Sequence, residues 1–299
     1  LLTYVKTDKL IIFIFLFVCN LSANTPLQKN AELFRFHADL SDSLIVNQLV
    51  FFAGEIKLKC ENFFNYRLID TIDIYLASSD EEYRKYNPPE IPEWSGGVAF
   101  MRRRAIILKP GGYYDPLKYR ETLSHEIVHF YIGEIVKNNA LPLWLNEGAA
   151  MYLSGKTISW QESINIGNAL SVGNLTDLTA IDTVLKFANA QAELAYIESF
   201  LAVQFIIGRH GEKTIADMIR DFSYDNNIDQ VMQKHLGYDF IEFEIDWYDY
   251  LKRHYRWMAF LQFENLFWIL LVVIIMFAFI IKKVRNRRIY REWEQENLN

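Results

Sequence analysis

His125-Glu126-Ile127-Val128-His129, followed by Leu143-Trp144-Leu145-Asn146-Glu147-Gly148-Ala149-Ala150, is the stretch on which the reading of this chain turns. At about 100° per residue, side chains four apart share one helical face, so the imidazoles of His125 and His129 can reach a single cation. Glu126 then projects beside that cation, placed to take a proton from a water bound there, and Glu147 adds a carboxylate from a second helix. Two histidines, a glutamate and an adjacent base suit one zinc ion per chain and hydrolysis of an amide. Histidines four apart can also be packed or solvated residues. This chain has only six histidines, and the neighbours Leu123, Ile127, Val128 and Phe130 predict a buried helix. Buried imidazoles beside a carboxylate need a partner such as a metal.

Flanking residues place the motif on helices. Asp115-Pro116 reads as an N-cap followed by proline at the first helical position, which predicts a helix from Pro116 to about Lys137. Asn138, Asn139 and Pro142 break it, and a second helix starting near Leu143 carries Glu147 on its first turns.

The pattern HExxH followed by an Asn-Glu-Gly-x-Ala helix resembles the gluzincin metallopeptidases, the thermolysin-like and aminopeptidase-N-like group of the peptidase MA-like superfamily. The resemblance extends over roughly Val46 to Arg256. It implies that His125, His129 and Glu147 are the zinc ligands and Glu126 the catalytic base. The metzincin pattern does not fit, because the glycine and histidine it needs after the second motif histidine are Ile132 and Ile135 here. Ser95–Phe100 and Ala105–Leu108 read as short strands joined by the basic turn Met101–Arg104. In gluzincins such a strand forms the sheet edge along which extended substrate can pair. Gly96 and Gly97 either permit close backbone approach or mark a bulge.

Further along, Ala195-Tyr196-Ile197-Glu198-Ser199-Phe200 opens an apolar helix expected to reach Ile207 and to end at Gly208 and Gly211. The resemblance makes Tyr196 the candidate donor to the oxyanion of a tetrahedral intermediate. His210 is the competitor, expected beyond the helix in a glycine-flanked turn. Phe243–Leu251 resembles the closing helix of peptidase-MA-like domains and is read as structural support.

Two departures from the resemblance bear on the substrate and on how a ligating imidazole is held. Gly97–Met101 lacks the acid with which the aminopeptidases hold a substrate's free amine, so strict aminopeptidase activity is disfavoured. Thermolysin-like enzymes orient a ligating imidazole with an aspartate four residues after the glutamate ligand. That position is Met151, and Glu121, one turn before His125, is the expected substitute.

The ends of the chain predict its location. Lys6 and Lys9 precede the apolar run Leu10–Val18, and Leu21-Ser22-Ala23 follows, as in a signal peptide covering residues 1–23. An uncleaved N-terminal anchor is the alternative. Leu266–Ile281 has no charged residue and would be about 24 Å long as a helix. Trp257 and Trp268 suit an interfacial belt, and Lys282, Lys283, Arg285, Arg287 and Arg288 follow directly, a positive-inside signal. The expected arrangement is a single-pass membrane protein with its catalytic domain extracytoplasmic and its C-terminus cytoplasmic.

Formal charge is −6, and setting aside +3 for residues 282–299 and +1 for residues 1–23 leaves −10 between them. An acidic chain whose only basic run outside the anchors is Arg102–Arg104 gives no support for nucleic-acid binding. Once the signal is removed, Cys60 is the only cysteine and no intramolecular disulfide can form. Helix-like (Leu44–Leu58) and strand-like (Thr71–Ala77) stretches alternate up to residue 110, and 111–255 read as mainly helical. The fold class is therefore α+β: a zincin-like domain over 24–255, with a small sheet and a mainly helical C-terminal part. A juxtamembrane and transmembrane helix (256–285) and a tail (286–299) follow. The function expected is a membrane-anchored zinc-dependent peptidase acting on a peptide or protein substrate. The alternative is a noncatalytic, zinc-containing surface-binding module. An intramembrane protease is excluded by the polar residues Lys118, Arg120, Glu121 and Ser124 around the motif.

Overall fold

Among the described residues five short strands, β1 (Pro26–Ala31), β2 (Phe34–Asp39), β3 (Ile72–Leu76), β4 (Gly97–Phe100) and β5 (Ala105–Leu108), form one mixed sheet in the order β1-β2-β3-β5-β4. The structure is a computed structural model that describes residues 25–86, 96–110, 115–137, 139–181, 189–261 and 263–296. The expected signal peptide lies outside the described residues, as does Asn87–Pro92, a stretch whose prolines predict a loop from the sequence. Pairing is antiparallel at the two outer pairs, β1–β2 and β5–β4, and parallel at β2–β3 and β3–β5. Parallel neighbours need a crossover, and helix α1 (Ser43–Phe64) supplies it between β2 and β3.

The helices of this region follow from apolar spacing. Val46, Leu49, Ala53, Ile56, Cys60 and Phe64 recur every three or four residues along α1 and are buried. The short helix α2 (Asp80–Tyr86) follows β3, and helix α3 (Pro116–Val136) follows β5. α3 packs against α1, β4 and β5 and buries Leu123, Ile127, Val128, Phe130 and Tyr131. The sheet contributes Phe34, Phe36, Ile72, Ile74, Ile106 and Leu108 to the core.

The chain divides into two units. The first runs up to Thr157 and resumes over Thr176–Glu244; the second comprises Ile158–Leu175 and the chain from Ile245 onward. Besides the sheet and α1–α3, the first unit holds α4 (Leu143–Ser154), α6 (Asn189–His210), α7 (Glu212–Asp221) and α8 (Ile228–Leu236). The division falls inside α9 (Phe240–Tyr255).

The second unit contains α5 (Trp160–Val172), opened by a reciprocal Ser159–Glu162 capping box, and a 3-10 stretch over Arg256–Leu261. These two pack without room for a side chain at Gly167: a Cβ there would lie 2.6 Å from the Tyr255 carbonyl oxygen. Helix α10 (Phe263–Glu296) completes the unit, and within it Phe267–Ile289 is long and apolar enough to cross a membrane, with mean hydropathy 2.6.

The mostly helical chain with its small mixed sheet is the α+β arrangement expected. Three local readings are corrected. β1 and β2 were not anticipated, because their hairpin turns at Glu32-Leu33 with Glu32 at φ 50° and no glycine or asparagine to announce it. The helix carrying Tyr196 starts at Asn189 and passes through Gly208 to end at His210. A solvent-facing helix interior tolerates a glycine at about 1 kcal/mol, and the stop is Gly211 at φ 86°. His210 is thus the last helical residue rather than part of a turn beyond it.

Candidate metal centre

Helix α3 begins as its sequence dictates. The Asp115 carboxylate accepts a hydrogen bond from the Leu117 amide at 3.0 Å, and Pro116 occupies the first helical position. From that start the register brings His125 and His129 onto one face. After Pro142 the chain re-enters a helix, and α4 presents Glu147 near its beginning before Gly155 ends it at φ 88°.

The two helices bring three donor atoms together. His125 Nε2 lies 3.0 Å from His129 Nε2 and 3.1 Å from Glu147 Oε2, and the remaining pair, His129 Nε2 and Glu147 Oε2, is separated by 3.6 Å. A tetrahedral zinc site with bonds of about 2.0–2.1 Å has edges of about 3.3 Å. The three separations bracket that value, and two neutral imidazole nitrogens with one carboxylate oxygen are donors of the type zinc accepts. The residues present therefore fit the ion.

Charge in the cluster is held tightly. Burial works against an imidazolium at His129, but the Glu147 carboxylate beside it prevails and raises the His129 pKa. Burial likewise pushes the Glu147 carboxyl up, and His129 and His125 outweigh it and hold the group well below the carboxylate range. Glu126, 8% exposed, lines the same cleft and is not one of the three residues whose ligand atoms lie within 4.8 Å of one another. Burial raises its pKa; His125, His129 and a hydrogen bond donated by the Ala99 amide pull the other way.

Glycines set the walls. β4 is the edge strand of the sheet, and a Cβ at Gly97 would lie 2.8 Å from Thr122 Cγ2 and 3.3 Å from Glu126 Cγ. Of the two readings of Gly96-Gly97, close approach is the one that applies: Gly97 lets the strand lie against α3 at the base. On the opposite side a Cβ at Gly148 would meet the Ser199 carbonyl oxygen and come within 2.6 Å of Val203 Cγ2. That contact joins α4 to α6 and brings Tyr196, nearly one turn before Ser199, to the same cleft. Burial, then the charges of Glu147 and Glu126, push the Tyr196 phenol upward, so it keeps its proton at physiological pH.

One cleft of about 680 Å³ is lined by His125, Glu126, His129, Glu147 and Tyr196 together with β4. The structure thus brings together all five residues singled out from the sequence. His210 is exposed, lies off this cleft and is 3.5 Å from the Tyr238 hydroxyl. The expectation for Glu121 is corrected: it is exposed on the cleft wall, because a residue four positions before His125 shares the face that opens outward. The imidazole contact runs instead from Asn146 Oδ1 to His129 Nδ1, 3.1 Å. Sequence reasoning passed over Asn146, although its place immediately before Glu147 was the available signal.

No match to a curated protein is found. Among solved structures, an aminopeptidase N family protein from Idiomarina loihiensis is similar at 12% identity and a TM-score of 0.45, over 75% of this chain and 46% of that one. This chain therefore spans less than half the length of that protein. The family model of the Peptidase MA superfamily matches residues 56–253, which contain the sheet strands around the cleft, α3, α4 and α6. A match over that much of the chain, centred on the cluster just described, makes it a member of the Peptidase MA superfamily.

Proposed function

We propose that the chain is a membrane-anchored, zinc-dependent peptidase of gluzincin type that hydrolyses peptide bonds outside the cytoplasm. The observation that carries this reading is the convergence of His125, His129 and Glu147 beside a buried carboxylate, in a cleft lined by the edge strand β4. His125, His129 and Glu147 would hold the zinc ion. When bound, zinc polarises a carbonyl oxygen and lowers the pKa of water to about 7.

The chain's own groups do the rest. Glu126 takes the proton of the attacking water and passes it to the leaving amine; its raised pKa suits both halves of that transfer. The Tyr196 phenol donates a hydrogen bond to the oxygen that gains charge as the carbonyl becomes tetrahedral. Asn146 holds His129 so that Nε2 faces the cleft and Nδ1 faces its carbonyl oxygen. The Ala99 amide fixes the Glu126 carboxylate against β4. Among the described residues β4 is the edge strand of the sheet, along which an extended substrate can lie and pair.

Residues 1–23 act as a signal peptide, 24–255 form the peptidase domain, 256–285 the juxtamembrane and transmembrane helix, and 286–299 a cytoplasmic tail. The apolar length of Phe267–Ile289 and the basic residues from Lys282 onward support that topology. Metal analysis of the purified protein, combined with a peptide-library digest by wild type and Glu126→Gln, tests the function. One zinc per chain in both proteins with turnover in wild type alone is expected. Turnover by Glu126→Gln would overturn the mechanism; zinc without turnover in wild type would favour a noncatalytic binding module.

A further inference from the structure

Beyond His129 the cleft continues along α3 and its walls change character. Ile132 and Val136, three and seven residues on, share the face of the two histidines, are each 3% exposed, and line the cleft with Leu141 and Met151. Lys137, exposed, and Lys156, half-buried, also line it. Glu121 stands on the wall at the other end, one turn before His125. Charge therefore reverses along the cleft, from one acid to two lysines, in a chain that carries −10 between its terminal segments.

Strand β4 tracks the same axis. Its start, Gly97, lies against Thr122 and Glu126, while Met101, just past its end, reaches Gly133. Strand and helix run side by side in the same direction, so a peptide paired on the β4 edge lies along α3. With a rise of about 1.5 Å per helical residue, Ile132 sits about 4.5 Å and Lys137 about 12 Å beyond His129. An extended peptide advances about 3.3 Å per residue, which sets Ile132 beside the first or second residue from the scissile bond and Lys137 beside the third or fourth.

We propose that this arm of the cleft is a subsite for anionic peptides. It takes an apolar side chain next to the scissile bond and, about three to four residues from that bond, a carboxylate held by Lys137 and Lys156. The carboxylate comes from Asp, Glu or a free C-terminus. The inference rests on the peptidase reading above and names the substrate class it acts on.

The test uses the full chain, zinc-loaded in detergent, and peptides with one common apolar core. Each carries Asp, Asn or Lys at the third and fourth positions from the scissile bond, with a free or an amidated C-terminus. Asp should be preferred over Asn by about two- to fivefold in kcat/KM, the scale of pairing between partly exposed charges. Loss of rate on amidation alone identifies the terminal carboxylate as the source; indifference to amidation identifies the side chain. In Lys137→Glu/Lys156→Glu the order should invert, with Lys preferred over Asp, an outcome that misfolding does not produce. Lys118→Gln, exposed near the start of α3, should keep the wild-type order. Equal rates for Asp, Asn and Lys together with indifference to amidation, or an order unchanged by charge reversal, would overturn the subsite. If no peptide is cut, the peptidase reading fails by itself. Binding of the same peptides, fluorescently labelled, to Glu126→Gln then decides: tighter binding of Asp than Lys upholds the subsite, and equal binding refutes it.

Discussion

Asn146 Oδ1 lies 3.1 Å from His129 Nδ1, so the residue directly before the expected glutamate ligand orients one of the two histidines. The imidazole must donate from Nδ1 to that oxygen, so in the neutral ring that a metal requires Nε2 is the lone-pair nitrogen facing the cluster. Asn146→Ala should lower zinc affinity by about 10- to 100-fold while the chain stays folded. Competition with a chromogenic chelator measures the affinity, and circular dichroism measures the fold. Unchanged affinity would mean that α3 alone fixes the ring.

Tyr196→Phe removes one hydroxyl from the cleft and leaves the ring in place. If the phenol serves the oxyanion, kcat should fall by about 10²- to 10³-fold, with KM and zinc content close to wild type. Steady-state kinetics on one cleaved peptide separates the two parameters. A rise in KM with kcat intact would instead assign Tyr196 to substrate binding.

How much of this was legible in the sequence depends on whether a feature is local. The helix start at Asp115-Pro116 follows from cap chemistry, and the His125–His129 pair follows from one helix's period. The Asn146 contact depends on how α4 crosses α3, which no spacing within either helix encodes. The same holds for the Ala99 amide on Glu126, which needs the strand to lie against the helix. Tyr196 could be named from the family resemblance, but its place in the cleft required the α4–α6 contact. The β1–β2 hairpin was silent because Glu32 occupies its left-handed turn position without the usual residue.

Gly148 carries that α4–α6 contact. A Cβ there would press on the Ser199 carbonyl, which is backbone and cannot turn aside, and on Val203. Gly148→Ala should therefore part the two helices and destabilise the fold by about 1–3 kcal/mol, as overpacking of a dense core does. Tm should fall by several degrees, and kcat should fall with it because Tyr196 moves with α6. A Tm equal to wild type would show that the helices separate at no cost.

Glu198 lies on the same helix, fully buried. Both its oxygens are 3.2 Å from the Thr176 amide. Burial raises its pKa to about 8 from an ordinary 4.5; the Thr176 amide opposes the shift and Asp177 adds to it. A carboxyl raised in this way binds its proton more tightly in the folded chain than in the unfolded one. Its contribution to stability is whole below about pH 4.5 and is lost as pH rises through about 8, with each unit of displacement worth on the order of 1 kcal/mol. Gln at this position keeps the shape and an acceptor for Thr176 and cannot ionise. Thermal unfolding at about pH 6 and about pH 9 should show Tm falling more steeply for wild type than for Glu198→Gln. The variant should be the more stable protein at the higher pH, and parallel slopes would show that Glu198 is already ionised in the native state.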